Sequence, residues 1–309
     1  METMIPLDQL RQLLQQTFGT KVEMADCKVG NRHHDYIVLL VRLRHPVVEV
    51  VVKLAGPEAP LACPFDRTAM LHRLVATCTD IPMPEVLAVN MSYQTWPWRY
   101  FVKTHIPGQE WAAVRRQMNP EELSGAYRQI GNAVAQLHTI HFPLFGELAV
   151  DGSVQGGEPY LTALIEHARS AIKNAHLRDL YFLALERHRA LFLDVRHPSL
   201  CHEDLHKHNI LFQYRQGRWH LATILDFDKA WAGHHETDLA RLELWEGMMS
   251  DGFWGAYEAI RPVEPLYRQR RPIHQLLWCL EYARPTVEHL ADTRRLCVEL
   301  GLPCLERFE

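Results

Sequence analysis

Residues 201–211 carry the sequence Cys-His-Glu-Asp-Leu-His-Lys-His-Asn-Ile-Leu. Within this run, His202 stands two positions before Asp204, and Asn209 follows that aspartate by five positions. Phosphoryl transfer needs a carboxylate that orients the attacking hydroxyl and accepts its proton, together with an amide oxygen that helps to hold Mg²⁺. Catalytic loops of kinases have this spacing. We therefore predict that Asp204 is a catalytic base and that Asn209 is a metal ligand.

A second acidic motif lies downstream, where Asp226 follows the apolar pair Ile224-Leu225 and precedes Phe227-Asp228. A carboxylate at the end of an apolar strand is well placed to bind the metal ion that bridges nucleotide phosphates. Either aspartate taken alone would more often cap a turn than take part in chemistry. Together with the spacing of Asn209, Asp204 and Asp226 favour a phosphotransferase, in which Asp226 is a second metal ligand.

The first third of the sequence reads as a sheet. Apolar, β-branched runs at residues 35–42 and 47–54 predict two strands, joined by a turn at residues 44–46. Further elements are predicted as a short helix at about 64–76 and strands near 85–90 and 98–105. Residues 1–105 are therefore predicted to form an N-terminal nucleotide-binding lobe, with a mainly antiparallel five-stranded sheet and one helix.

The periodicity changes after residue 105. Asn119 and Pro120 are typical of a helix start, and apolar residues then recur every three or four positions. The remaining predictions are two helices within 158–193, a hairpin at 210–213 and 219–225 with Gln216-Gly217 in its turn, and mostly helices from 238 onward. Residues 106–309 are predicted to form a mainly helical lobe that carries the catalytic loop and the acceptor site. The fold class is therefore α+β and two-lobed, with a cleft between the lobes.

These motifs resemble the aminoglycoside phosphotransferase and choline kinase superfamily of protein-kinase-like small-molecule kinases. The usual loop of that superfamily, His-Gly-Asp-Leu-His-x-x-Asn, is matched at His202, Asp204, Leu205, His206 and Asn209. A histidine at position 206, where protein kinases usually have lysine, favours the small-molecule branch. The resemblance extends over about residues 29–242 and is strongest around 201–240. It departs at position 203, where glutamate replaces the usual glycine.

The resemblance implies several nucleotide-binding residues in the first lobe. Lys53, at the end of the run Val50-Val51-Val52-Lys53, matches the lysine that binds the α- and β-phosphates. Asp66 is the nearest acid to the usual ion-pair partner of that lysine, although a charge at a helix N-terminus explains it equally well. His105 and Ile106 match the interlobe segment whose backbone binds the adenine edge.

Other residues are implied with a weaker motif or a supporting role. Gly30 and Asn31 lie where a phosphate-covering loop is expected, and a plain hairpin turn explains that segment nearly as well. The supporting residues are His202, His206, Asp228 and Asp238. Of these, Asp238 begins an Asp-Leu-Ala sequence that is similar to a helix start in the superfamily, where it would buttress the loop.

Composition excludes several classes of function. The chain has 309 residues and a formal net charge of -4, so no basic surface suggests a nucleic-acid or membrane partner. No apolar stretch reaches the roughly 18 residues of a membrane span, and residues 1–16 lack the apolar region of a signal peptide. The seven scattered cysteines, without Cys-x-x-Cys spacing, are typical of reduced thiols in a cytoplasmic protein without zinc. The oligomeric state stays open.

The predicted activity is ATP-dependent transfer of the γ-phosphate to a small-molecule hydroxyl, with Mg²⁺ as cofactor and GTP as an open alternative to ATP. The acceptor classes of the superfamily include aminoglycoside-like antibiotics, amino-alcohols and sugars. Acids and aromatic residues of the helical lobe suit a cationic or sugar-like alcohol, whereas Arg268, Arg270 and Arg271 would suit an anionic one.

Two other functions compete with this prediction. A protein kinase is disfavoured because Asp238 follows Asp226 by only 12 positions, with no Ala-Pro-Glu sequence after it. A catalytically degenerate kinase that only binds nucleotide or a metabolite is the main alternative. Glu203, the weak glycine loop and the missing glutamate on the following helix favour it, whereas the presence of Asp204, Asn209 and Asp226 disfavours it.

Overall fold

The computed structural model describes residues 7–32, 36–57, 59–61, 63–94, 96–156, 159–244 and 246–308. For Asn31 and Arg32 it describes the backbone alone. The chain divides into two compact units. The first comprises Met1–Thr77 and Pro82–Pro107, and the second comprises Cys78–Ile81 and Gly108–Glu309.

The first unit is an antiparallel sheet with two helices. Its elements are α1 (Leu7–Phe18), β1 (Glu23–Arg32), β2 (Ile37–His45), β3 (Val48–Ala55), α2 (Phe65–Cys78), β4 (Val86–Asn90) and β5 (Arg99–Thr104). The strand order is β1-β2-β3-β5-β4, with antiparallel pairing throughout. The predicted five-stranded antiparallel sheet is therefore confirmed, and α1 is a helix that the sequence analysis missed.

Strand β3 shows why this sheet has two different faces. Side chains alternate across a strand, and Val50, Val52 and Leu54 are buried in a core that also contains leucines of α1. Lys53 therefore points to the opposite face. Its cross-strand partner there is Phe101, which belongs to the smaller apolar cluster formed with α2.

Two predicted bounds in this unit differ from the structure. The strand predicted at 35–42 begins at Ile37, and Asp35 lies outside the described residues. The turn predicted at 44–46 comes later in the chain, because β2 continues through His45. The reason is pairing and burial, since Leu43 is buried and lies opposite Val48 of β3.

The second unit is mainly helical, as predicted. Its elements are β6 (Gln109–Glu110), α3 (Trp111–Val114), α4 (Pro120–Leu137), β7 (Glu147–Leu148), β8 (Val154–Gln155), α5 (Tyr160–Ala171), α6 (Ala175–Arg187), a 3-10 turn (Arg189–Phe192), β9 (Ser199–Cys201), β10 (Ile210–Arg215), β11 (Arg218–Ile224), a second 3-10 turn (Phe227–Lys229), β12 (Trp231–Gly233), α7 (Glu236–Leu244), α8 (Asp251–Glu258), α9 (Tyr267–Tyr282) and α10 (Val287–Glu299). Strands β9 and β12 pair antiparallel, and so do β10 and β11.

Helix α4 begins where the sequence predicted. The side chain of Asn119 accepts hydrogen bonds from the backbone N–H groups of Glu121 and Glu122, and the Glu122 carboxylate accepts one from the Asn119 N–H. This reciprocal capping box satisfies backbone donors that the first turn of a helix leaves unpaired. Pro120 occupies the first turn, where its missing N–H costs nothing.

The predicted hairpin is confirmed, with Gln216 and Gly217 in its turn at φ values of 50° and 76°. Its second strand, β11, leads directly into the 3-10 turn at Phe227–Lys229. Among the described residues, every helix is too short or too polar to cross a lipid bilayer.

Candidate active site

Asp204 lies in the loop between β9 and β10, with its side chain 16% exposed. The hydroxyl of Tyr282 donates a 2.7 Å hydrogen bond to its Oδ1, and Arg241 Nη1 lies 3.7 Å from the same oxygen. Asn209 Nδ2 donates a 2.9 Å bond to the Asp204 backbone carbonyl. The predicted base and the predicted amide ligand are therefore neighbours in space.

The surroundings of Asp204 favour its ionised form. Burial alone would raise the pKa of this carboxyl, but the charges of Arg241 and Lys229 and the hydrogen bond from Tyr282 outweigh burial. The pKa of Asp204 is therefore lower than its ordinary value. A carboxylate that is ionised at neutral pH has the charge state that a proton acceptor needs.

His202 connects the loop to the segment that carries Asp226. Its Nε2 lies 2.8 Å from the Leu225 carbonyl oxygen, so Nε2 carries the proton and donates it. Its Nδ1 then accepts a 3.1 Å hydrogen bond from the Asp204 backbone N–H. A third bond, 2.8 Å long, runs from the Leu225 N–H to the Asn209 carbonyl oxygen. These contacts fix the end of β11 beside the loop.

Asp226 directly follows that end and has φ 66° and ψ 64°. This left-handed conformation is uncommon for a residue other than glycine, and such residues cluster at functional sites. The donor atoms here suit a hard cation, since Mg²⁺ prefers carboxylate and amide oxygens. Asn209 uses its Nδ2 in the bond to Asp204, so its amide oxygen is the atom that can serve as a ligand.

Asp238, in the first turn of α7, is fully buried and accepts hydrogen bonds from the loop backbone. Its Oδ2 accepts from the His202 N–H at 2.7 Å, and its Oδ1 accepts from the Glu203 N–H at 2.8 Å. His138 Nε2 lies 3.2 Å from Oδ2. Burial would raise the pKa of Asp238, but the hydrogen bond and charge of His138 outweigh burial and lower that pKa. Asp238 therefore holds the loop as an ionised acceptor.

Glu203, the departure from the usual glycine, has φ 60°. Its backbone thus adopts the conformation that glycine enters without strain. Its side chain is buried, with Oε1 accepting a 2.9 Å hydrogen bond from Trp231 Nε1. Its Oε2 lies 4.0 Å from Arg241 Nη2. This glutamate therefore combines an unfavourable backbone conformation with a buried, partnered carboxylate.

Arg241 and Lys229 complete a charged cluster that the sequence analysis missed. Arg241 is buried, and its Nη2 lies 3.2 Å from Glu281 Oε2. Lys229 Nζ donates to Glu281 Oε1 at 2.6 Å and to the Tyr282 hydroxyl at 2.7 Å. Lys229 could have been identified from the sequence, because it directly follows Asp228. Tyr282 had no local signal, because 78 positions separate it from Asp204.

Two other predicted supporting residues lie close to these. His206 Nε2 is 3.8 Å from Asp204 Oδ2, and His206 Nδ1 accepts a 3.1 Å hydrogen bond from the His208 N–H. Burial lowers the pKa of His206 below its usual value. Asp228 lies in the 3-10 turn that follows Asp226.

Lys53 and Asp66 belong to the first unit. Lys53 Nζ lies 4.9 Å from the centre of the Tyr36 ring, a distance at which a cation and an aromatic face attract each other. Asp66 is in the first turn of α2 and accepts a 2.9 Å hydrogen bond from the Arg67 backbone N–H. This geometry of Asp66 is that of an acid at a helix N-terminus.

The remaining nucleotide-site candidates are partly outside the described residues. Gly30 lies in β1 at a register shift, and a Cβ there would have ordinary contacts, the nearest at 3.6 Å from the Val38 oxygen. The side chain of Asn31 lies outside the described residues, as do residues 33–35. His105 Nδ1 lies 3.0 Å from Glu49 Oε2, and Ile106 follows it in the segment after β5.

The arginines that would suit an anionic acceptor are partly neutralised by acids. Arg270 donates to both Glu236 oxygens at 2.6 and 2.7 Å and to Glu264 at 2.8 Å. Arg271 donates to Glu243 at 3.0 Å. Four aromatic residues of the helical lobe, Trp231, Tyr257, Tyr267 and Trp278, are buried in the core. Electrostatics in this region thus give little support to an anionic acceptor.

A buried group of His234, His235 and Glu236 has ligand atoms within 4.8 Å of one another. However, Arg270 already binds both oxygens of Glu236, and Arg261 Nη2 lies 3.3 Å from His235 Nδ1. A metal ion would have to displace Arg270 and would face a second guanidinium. The group is therefore better explained as part of a buried ion-pair network.

Comparison with known proteins gives the same family as the loop motif. A model of the phosphotransferase enzyme family matches residues 27–273. The probable ketoamine kinase of Lactiplantibacillus plantarum is 27% identical over 178 residues, which cover 52% of this chain and 60% of that protein. This match therefore spans less than two thirds of the relative's length.

Solved structures of low identity share the fold. Aminoglycoside phosphotransferase APH(4)-Ia, in a ternary complex with AMP-PNP and hygromycin B, has a TM-score of 0.65 at 14% identity, over 94% of this chain and 96% of that one. Plasmodium vivax ethanolamine kinase has a TM-score of 0.56 at 15% identity, over 92% and 83% of the two chains. The predicted resemblance is confirmed: the chain belongs to the phosphotransferase enzyme family and has its α+β, kinase-like fold.

Proposed function

We propose that this protein is a kinase that uses Mg²⁺-ATP to phosphorylate a hydroxyl group of a small molecule that also carries an amino group. The observation that supports this most is the double hydrogen bonding of His202. It joins the backbone of Asp204 to the Leu225 carbonyl, next to Asp226. A base candidate and the oxygen ligands for a metal are thereby held together within one unit.

In this proposal, Asp204 orients the acceptor hydroxyl and takes its proton as the phosphoryl group is transferred. Asn209 and Asp226 hold Mg²⁺ through oxygen atoms, and the bound ion neutralises charge on the phosphates. Lys53 binds the phosphates as a cation, and the backbone at His105 and Ile106 binds the base. Asp238 and His202 keep the loop in its geometry, as their hydrogen bonds support.

ATP as the phosphoryl donor is supported by the fold, which this chain shares with a phosphotransferase solved with AMP-PNP. GTP stays an alternative, because recognition through backbone atoms at His105 and Ile106 leaves little in the side chains to select adenine. Turnover with Mg²⁺-GTP in place of Mg²⁺-ATP decides between them.

The amino group of the acceptor is supported by charge. The cluster at the loop has three carboxylates, those of Glu203, Asp204 and Glu281, against the two cations Lys229 and Arg241. Among these five groups the carboxylates outnumber the cations by one, which favours a cationic ligand nearby. Arg284 lies over the Tyr282 ring at 4.9 Å, but it is exposed to solvent, which screens its charge. A protonated amine on the acceptor would supply that cation. The similar proteins include a probable ketoamine kinase and an ethanolamine kinase, and both names point to the same class of acceptor.

A cavity in the same unit is bordered by Trp231. It has a volume of about 310 Å³, and its lining includes Glu147, Glu166, His167 and Trp231. Trp231 links the cavity to the loop, since its indole N–H donates to Glu203. His167 stacks on the Trp231 ring with centroids 4.0 Å apart. Both carboxylates have partners, since His167 Nδ1 lies 2.9 Å from Glu147 Oε1 and Arg169 Nη1 lies 3.4 Å from Glu166 Oε1. The cavity therefore does not distinguish a cationic acceptor from a neutral one.

The test is a transfer assay with the purified protein and Mg²⁺-ATP. Ethanolamine, hygromycin B and a ketoamine are offered as acceptors, ADP release is measured, and the phosphorylated product is identified by phosphorus NMR. Asp204→Asn should lower turnover by about 10² to 10⁴, the usual contribution of a general base. It should leave nucleotide affinity nearly unchanged, because Asp204 faces the hydroxyl rather than the phosphates.

The matched control is Asp151→Asn, which changes an exposed loop aspartate bonded to Ser153. This variant should keep wild-type turnover. Full activity of Asp204→Asn would contradict the catalytic-loop assignment. Nucleotide binding without any phosphorylated product, over a wide panel of amino-bearing alcohols, would favour the binding-module alternative.

A further inference from the structure

Two side chains from outside the catalytic loop, Lys229 and Tyr282, are linked by hydrogen bonds to the candidate base Asp204. Lys229 Nζ donates to the Tyr282 hydroxyl oxygen at 2.7 Å, and that hydroxyl donates to Asp204 Oδ1 at 2.7 Å. The Lys229 ammonium also lies 4.1 Å from the centre of the Tyr282 ring. These residues come from three places: the 3-10 turn after β11, the C-terminal end of α9, and the loop after β9.

The donor and the acceptor of each of these hydrogen bonds are fixed by the chemistry of the groups. A lysine ammonium has three donors and no acceptor, so the Tyr282 oxygen must accept from Lys229. Its single proton is then free to point only toward Asp204. Burial raises the pKa of Tyr282, so the phenol keeps this proton at neutral pH. Glu281 accepts a second Lys229 bond at 2.6 Å and thereby holds the ammonium in place.

The two oxygens of Asp204 therefore have different partners. Oδ1 accepts from Tyr282 and faces Arg241 Nη1 at 3.7 Å. Oδ2 has longer contacts, 3.5 Å to Asn209 Nδ2 and 3.8 Å to His206 Nε2. Since short hydrogen bonds from a fixed donor restrict the rotation of a carboxylate, Oδ1 is held and Oδ2 is presented on the Asn209 side.

Resting on the proposed phosphotransfer, we infer that Tyr282 is a positioning residue for the reaction: it holds Asp204 Oδ1 so that Oδ2 receives the acceptor hydroxyl. Lys229 orients Tyr282 in turn. Because Lys229 ends the 3-10 turn that follows Asp226, the same contacts also connect the candidate metal segment to the base. Tyr282 acts through Asp204 and touches neither the nucleotide nor the metal.

The test is a cycle of variants in the phosphotransfer assay. Tyr282→Phe keeps the ring, which packs 5.4 Å from Trp278, and removes the hydroxyl alone. A hydrogen bond to a charged group contributes enough for kcat to fall by about tenfold to a hundredfold, while KM for the nucleotide stays unchanged. In the Asp204→Asn background, the same substitution should change kcat by less than about twofold, because residues that act as a unit are not additive.

The control is Tyr214→Phe, a tyrosine that is 53% exposed on the hairpin. It should change neither kinetic constant. Equal kcat losses from Tyr282→Phe in both backgrounds would overturn the inference and leave Tyr282 with a structural role. Unchanged kcat in Tyr282→Phe would overturn it as well.

A readout without turnover separates this inference from the proposed function. The protein is labelled with 3-fluorotyrosine, and the Tyr282 signal in the ¹⁹F NMR spectrum is assigned by its loss in Tyr282→Phe. Asp204→Asn should shift that signal, whereas Asp151→Asn should leave it unchanged. An unmoved signal in Asp204→Asn overturns the inference even if the enzyme is active. A shifted signal without phosphorylated product supports the contact and counts against the proposed function instead.

Discussion

Glu203 brings two opposing effects together in one residue. For an L-residue, the left-handed conformation at φ 60° costs about 1–2 kcal/mol relative to the right-handed one. Against this, its buried carboxylate accepts from the Trp231 indole N–H and lies beside Arg241. Removing the acceptor would leave a buried donor unsatisfied, which costs about 1–3 kcal/mol. The side-chain contribution and the backbone strain are therefore of similar size.

The strain and the buried carboxylate together predict different free energies of unfolding for two substitutions of Glu203. Glu203→Ala loses the carboxylate and keeps the strain, so the free energy of unfolding should fall by about 1–3 kcal/mol. Glu203→Gly also loses the carboxylate but relieves the strain, so it should be more stable than the alanine variant by about 1 kcal/mol. Chemical denaturation of both variants measures the difference. A glycine variant more stable than wild type would mean that the backbone strain exceeds the contribution of the buried carboxylate, and an alanine variant as stable as wild type would mean that the carboxylate contributes nothing.

At the residue scale, local spacing limited what could be predicted. Asp204, Asn209 and Asp226 lie within one stretch of 23 residues, so their spacing is visible in the sequence. Tyr282 and Arg241 reach Asp204 because α7 and α9 pack behind the loop. That packing is tertiary, and no pattern next to Tyr282 indicates it. The positive φ of Glu203 was likewise not predictable from composition, although the missing glycine pointed to this position.

Helix α4 illustrates how one element is fitted to its neighbour. Gly131 faces α8, and a Cβ at this position would lie 2.3 Å from the Phe253 carbonyl oxygen. Backbone atoms cannot move aside as the tip of a flexible side chain can. Gly125, in the same helix, has more room, since the nearest atom to its Cβ would be Arg128 Nη2 at 3.7 Å. The two glycines therefore have different roles within one helix.

The same substitution at both sites should have opposite effects. Gly131→Ala should lower the free energy of unfolding by about 1–3 kcal/mol, because the added methyl overpacks the contact with α8. Gly125→Ala should raise it by up to about 1 kcal/mol, because alanine is the better helix former. Urea denaturation of the two variants measures both changes in the free energy of unfolding, one a decrease and the other an increase. Equal changes would mean that α4 and α8 are not as close as the structure has them.

Elements with strong local signals were predicted, and elements held by distant partners were not. The capping box at Asn119 and the β-branched runs of β2 and β3 are local features. Strands β9 and β12 have three residues each and pair across about 30 positions, so no local pattern precedes them. Helix α1 was missed because the first 16 residues were considered only as a targeting segment. Its Leu10, Leu13 and Leu14 form a buried stripe.

At the scale of the whole molecule, a ligand that binds only the folded state stabilises that state by mass action. At a hundredfold excess over Kd, this contributes about 2.7 kcal/mol. If Asn209 and Asp226 hold Mg²⁺ as proposed, the Mg²⁺-ATP complex binds only the folded state. Mg²⁺-ATP should therefore raise Tm for the chain as a whole, and a chelator should remove most of the increase.

Asp226→Ala provides the decisive comparison for this prediction. Removing one of two proposed oxygen ligands should lower metal affinity, so Mg²⁺-ATP at the same concentration should give a much smaller rise in Tm. Asp151→Ala removes an exposed acid in the turn between β7 and β8 that has no proposed role in binding the metal, so it should keep the full rise. Scanning calorimetry with and without Mg²⁺ measures all three proteins. If Mg²⁺-ATP stabilised Asp226→Ala as strongly as wild type, Asp226 would not be a metal ligand. The nucleotide would then have to be held by the remaining residues, with Lys53→Ala as the next variant to test.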